Sequence, residues 1–173
     1  MTSEVLILGV GNILFSDDGL GIRVVEKLLE SYQFPDQVTV VDGGVLGINL
    51  LGVISHAHHL IVVDTILNKG KPGDLHRLAG ADIPNRILAK NSLHQVDLLE
   101  ALTLCQFLDH VPQTVIVGAE PMDIETLGTE LTPTLAVQVD NVVLMVLKEL
   151  EALGVSWEEK NHADSACHQP DHS

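Results

Sequence analysis

Four short apolar runs constrain this chain most, because each stops at a glycine or an acid and is followed by helical spacing. VLILG, VTVVDGG, LIVVD and TVIVG are built from Val, Ile and Leu with little polar alternation. Such runs read as strands buried on both faces. They place strands at Glu4–Leu8, Val38–Val41, Leu60–Val63 and Thr114–Val117. After the first, Ile22, Val25, Leu28, Leu29 and Tyr32 keep helical spacing until Pro35. Leu46, Leu50, Val53 and Ile54 mark a second, short helix, and Val96, Leu99, Leu102 and Cys105 a third, starting near Asn91-Ser92. KGKPGD is a turn, and Leu75 to Leu78 reads as an edge strand. The last helix has Thr132 as its N-cap and Pro133 at its first position. Its stripe runs from Leu135 to Leu153, and Gly154 is its C-cap. Strands alternating with helices predict an α/β fold in three layers, a mostly parallel twisted sheet with helices on both faces. Right-handed crossovers bring all parallel strand ends to one side, where ligands bind.

The 173 residues contain no internal repeat and fit one domain, 1–156, followed by a polar tail, 157–173, expected to be disordered. With only nine Lys and Arg and a formal net charge of −15, the chain lacks a nucleic-acid or anionic-lipid surface. Its expected partners are cations or basic protein segments. No apolar run reaches the roughly 18 residues needed to cross a bilayer. The first strand begins at Glu4, without the basic start of a signal peptide. Cys105 and Cys167 lie far apart, one in an apolar helix and one in the tail, so no disulfide framework is expected. A cytoplasmic monomer is the expectation.

The stretch GVGNILFSDDGLG, Gly9 to Gly21, carries the chemistry. It opens like a nucleotide loop, and Asp42 after the second strand extends the likeness to a dinucleotide fingerprint. But Leu14 stands where the third glycine belongs. Asp17 and Asp18 stand where a pyrophosphate would sit, and they would repel it. There is no GxxxxGK[ST] loop. The strand ends instead collect acids: Asp17 and Asp18, Asp42, Asp64 and Glu120. Carboxylates gathered there are costly unless a cation sits among them. Oxygen and imidazole donors suit nickel, zinc or manganese. His56, His58 and His59 fall at the opposite end of the sheet, and His162, His168 and His172 in the tail. His94, in SLHQ at a helix start, is the best-placed imidazole. Each residue also has a plainer role. Asp17 or Asp18 could cap the first helix, Asp64 could be a solvated strand end, and Asp42-Gly43-Gly44 could be a simple turn.

The stretch VLILGVGNILFSDDGLGIRVVE resembles the opening of the nickel–iron hydrogenase maturation proteases. The likeness continues through VTVVDGGVLGINLL, HLIVVDTI, SLHQVDLLEAL and LTPTLAVQVD, over roughly residues 4 to 154. The resemblance implies an endopeptidase that removes a C-terminal extension from the precursor of the hydrogenase large subunit, after nickel insertion. It implies Asp18, Asp64 and His94 as metal ligands, with nickel arriving in the substrate and zinc or cadmium able to take its place. Asp42 would support the site or meet the substrate. Asn12, Asp17, Gly43 and Gly44 would shape the loops.

No GxSxG elbow, Cys–His pair or HExxH helix is present. Hydrolysis by water is therefore expected, with Asp18, Asp42 or Asp64 as candidate general base. A metal-sensing chaperone that binds the precursor without cutting it, or a dinucleotide-binding enzyme, are the alternatives.

Overall fold

The computed structural model describes residues 4–44, 50–83 and 93–161, the side chains of 93–99 excepted. Its elements are β1 (Val5–Val10), α1 (Leu20–Ser31), β2 (Tyr32–Gln33), β3 (Val38–Gly44), α2 (Leu50–Ile54), β4 (His59–Thr65), β5 (Leu75–Ala79), α3 (Leu93–Phe107), β6 (Gln113–Ala119), α4 (Pro133–Ala136), α5 (Val139–Ala152) and β7 (Glu158–Glu159). The central sheet has the order β3-β1-β4-β6-β5. All neighbours are parallel except β5, which runs antiparallel to β6. The α/β architecture read from the sequence is present.

β1 is buried along its whole length because it lies between β3 and β4 and is covered on both faces. One face carries Val5, Ile7, Ile61, Val63 and Val117, packed against α1 and α5. The other carries Leu6, Leu8, Leu60, Val62 and Ile116, packed with α2 and α3. This is the period-two alternation of strands expressed as two cores. In α1, Leu20, Val24 and Leu28 are fully buried at four-residue spacing. Each such leucine stabilises by about 1.5–3 kcal/mol relative to exposure. Two glycines let the layers close: a Cβ on Gly9 would lie 2.5 Å from the Gly21 carbonyl, and one on Gly21 2.3 Å from that of Val63.

Several boundaries differ from the sequence reading. β1 continues to Val10, and a 3-10 turn, Ser16–Gly19, precedes α1. Neither aspartate caps α1: its N-cap is Gly19, with no side-chain cap bond. The last helix is two helices. Thr132 does precede Pro133, but its side chain makes no cap bond, since its hydroxyl is drawn to Asp17. Gly154 does end α5. It has φ +72°, its N–H donates to Glu151 O at 2.9 Å, and Val155 N–H donates to Leu150 O at 3.0 Å. That is the paired-bond helix stop that glycine favours. The expected tail begins too early at 157. Trp157 packs on the core, and β7 pairs with β2. The rest of the tail, from His162, lies outside the described residues. Among the described residues no helix is long and apolar enough to cross a membrane.

Candidate active site

β1 and β4 are adjacent parallel strands, so the loop after β1 and the end of β4 share one rim. Asp18 lies in the 3-10 turn after β1 and Asp64 near the end of β4. They are 8% and 3% exposed. Asp18 Oδ2 accepts the Asn12 N–H at 3.1 Å, and the same N–H reaches the Asp18 carbonyl at 3.2 Å. The loop thus closes on itself. Gly11 sits beneath it with φ +132°, and a Cβ there would lie 1.9 Å from the Asp18 carbonyl. Only glycine fits. Asn12 Oδ1 accepts the Leu14 N–H at 2.9 Å. Asp64 Oδ1 accepts the N–H of buried Thr65 at 2.7 Å. The rim thus carries two carboxylates largely removed from water.

The other rim acids separate. Asp42 follows the alternation of Val38 and Val40, which face α1 and α5; Asp64 follows Leu60 and Val62, which face α2 and α3. Asp42 is exposed and leaves the sheet on the other face from Asp64. Gly43 lies against β1, where a Cβ would meet Gly9 O at 2.7 Å, and Gly44 O accepts the Gly11 N–H at 3.4 Å. DGG therefore braces the floor of the Asp18 loop.

Asp17 is fully buried. It accepts four hydrogen bonds: from Met122 N–H at 2.9 Å, Asp123 N–H at 3.0 Å, Thr132 N–H at 2.8 Å and the Thr132 hydroxyl at 3.0 Å. Its charge is spent on the loop between β6 and α4. Asp123 forms a tight turn in that loop, accepting the N–H groups of Glu125 and Thr126. The hydrogen bonds from Thr126 hold its carboxyl below the usual range.

His94 falls in the first turn of α3. Its side chain lies outside the described residues. The last turn of α3 lies near the start of β4, where His110 Nε2 donates to Ala57 O at 2.8 Å. The helix has 15 residues, about 22 Å, which carries its first turn toward the rim. Among the described residues no three His, Cys, Asp or Glu side chains are arranged to hold a metal ion. His94, the third of the expected ligands, has its side chain outside those residues. His58, with its Nδ1 accepting the Glu4 N–H, sits at the far end of the sheet with His56 and His59. Buried Cys105 has its thiol pushed up by desolvation, which disfavours the thiolate.

One rim pair went unread in the sequence. Glu120 is 4% exposed. Its Oε2 accepts from His76 Nε2 at 2.7 Å and from the Asn68 N–H at 2.9 Å. The signal was the direction of β5. Because β5 runs antiparallel, its beginning, not its end, meets the rim, with His76 opposite Gly118.

The model of the hydrogenase maturation protease family matches residues 22–149. The chain belongs to the hydrogenase maturation protease family. This maturation protease is 37% identical over 155 residues to hydrogenase 2 maturation protease of Escherichia coli K12, covering 88% of this chain and 93% of that one. It is 35% identical over 154 residues to the hydrogenase expression/formation protein HupD of Rhodobacter capsulatus, covering 88% and 73%. The solved E. coli hydrogenase maturating endopeptidase HybD superposes with a TM-score of 0.86 at 35% identity, over 94% of this chain and 99% of that one. The maturation protease is thus a peptidase of this fold, which replaces the dinucleotide reading.

Proposed function

We propose that this endopeptidase removes the C-terminal extension of a nickel–iron hydrogenase large-subunit precursor, in the cytoplasm, once nickel is in place. The observation that carries the reading is the placement of two buried carboxylates, Asp18 and Asp64, on one rim by adjacent parallel strands. With His94 they would form a mixed carboxylate–imidazole set suited to nickel. The precursor brings that nickel, so the set reads the substrate's state of assembly, and zinc or cadmium would occupy the same donors. Bound nickel supplies Lewis acidity near the scissile bond. The chain supplies the base: a carboxylate takes a proton from water as the water's oxygen adds to the carbonyl. The carboxyl then passes that proton to the leaving nitrogen as the peptide C–N bond breaks, releasing a carboxylate and an amine and restoring the base. Asp18 and Asp64 are the candidates on the ligand face, and exposed Asp42 meets the substrate from the other.

The test is mass spectrometry of a large-subunit precursor incubated with the protease, nickel-loaded and nickel-free. Loss of one defined C-terminal peptide from the loaded sample alone is the expected result. Asp18→Ala and Asp64→Ala should each slow it by at least about 100-fold. Full cleavage by Asp18→Ala, Asp42→Ala and Asp64→Ala alike would sink the carboxylate mechanism. An uncut loaded precursor that still binds would make the protein a metal-sensing chaperone.

A further inference from the structure

Beside Asp18 the surface changes character. In a chain with 24 acids, residues Gly9 to Phe15 carry no charge, and Ile13 and Leu14 stand 38% and 54% exposed. Across from them Leu127, next to the bridge partner Gly128, is 76% exposed. Phe15 forms a parallel bridge with Gly128. The Gly128 N–H donates to Leu14 O at 2.9 Å, and the Ser16 N–H donates to Gly128 O at 2.8 Å. Leu14 and Leu127 each precede a bridge partner by one residue, which brings their backbones alongside one another.

This patch is held rigid at a cost. Ser16 takes φ +47°, in the left-handed region that a non-glycine residue adopts only when its surroundings force it. Asp17 is buried with its charge to fasten Met122, Asp123 and Thr132. Arg23 ties down Thr129 O at 2.9 Å. Fixing large apolar side chains in water gains nothing for the isolated chain. It lowers the ordering cost of a partner that covers them.

We infer that Ile13, Leu14 and Leu127 form the docking surface for an uncharged, apolar, extended segment of the precursor next to its scissile bond. The inference rests on the proposed function and adds its substrate-binding surface. Continuity selects this occupant: Leu14 and Asp18 belong to the same closed loop, joined through Asn12. A chain presented to Asp18 therefore has Leu14 beside its path.

The experiment is steady-state cleavage of nickel-loaded precursor by the wild-type protein, Leu14→Asp, Leu127→Asp, the two serine variants Leu14→Ser and Leu127→Ser, and Leu144→Asp. Leu144 is 53% exposed on α5 and serves as the control. Thermal melts report folding, and sedimentation reports self-association. Leu14→Asp and Leu127→Asp are expected to raise KM about tenfold each, with kcat changed less than about twofold, the hallmark of lost binding rather than lost chemistry. The serine variants should show smaller rises in the same direction, and Leu144→Asp none. Unchanged KM in both aspartate variants, or a fall in kcat alone, overturns the inference. So does a wild-type dimer that Leu127→Asp splits, since the patch would then serve a second copy of this chain. No cleavage by the wild type would instead defeat the proposed function itself.

Discussion

Asp17→Ala is expected to lower stability by about 4 kcal/mol, although Asp17 is not one of the residues expected to hold metal. The carboxylate accepts three N–H groups and one hydroxyl. Alanine leaves all four donors without that acceptor where water has little access. A buried donor left unmatched costs about 1–3 kcal/mol, and the donors together outweigh any relief from freeing a buried charge. Asp17→Asn keeps one carbonyl oxygen but turns an N–H toward donors, so about 2 kcal/mol is expected. Urea denaturation of the three proteins measures this. Precursor cleavage by Asp17→Ala should fall with the loss of the ordered 122–132 loop, while nickel dependence persists in the residual activity. Wild-type stability with lost nickel dependence would instead make Asp17 a ligand.

Gly118→Ala is expected to destabilise by at least about 3 kcal/mol and to cut cleavage by at least about 100-fold, as misplacements near 1 Å can. Gly118 is in register with Asp64, and a Cβ there would lie 1.7 Å from the Asp64 carbonyl oxygen. The obstacle is backbone, so no side-chain rotation relieves it. β4 and β6 must part at the rim, and Asp64 moves with its strand. Gly52→Ala is the contrast: nothing lies within 4 Å of its Cβ, and the change in α2 should be neutral or stabilising by up to about 1 kcal/mol. Equal melting of Gly118→Ala and wild type would contradict the close approach.

The difference between these two sites shows what a sequence can carry. The four runs were legible because strands buried on both faces need continuous Val, Ile and Leu, which few other structures use. The rim could be drawn from them, since parallel strands share their ends, and Asp18 and Asp64 could be placed on it. What stayed hidden were choices made by geometry across the chain. Asp17 reads as a helix cap because caps are local, yet its partners lie more than a hundred positions away. Asp42 reads as a companion of Asp64 because strand ends coincide, and only the pleat sends them to opposite faces. His76 was hidden by direction, since an edge strand's composition does not say which way it runs. Thr132 looked like a cap and became a donor to Asp17, because a buried carboxylate outcompetes a helix terminus for a hydroxyl.

The small β2–β7 pairing has a spectroscopic consequence. It holds Trp157, the only tryptophan in the chain, against the core beyond the C-terminal end of α1. That helix starts beside the rim and has 12 residues, about 18 Å of axis. The indole therefore sits remote from Asp18 and Leu14. Its emission is a gauge of whether the scaffold around the β2–β7 pair is intact. Unfolding of the protease by itself can thus be followed by the intrinsic fluorescence of one indole that reports on the scaffold.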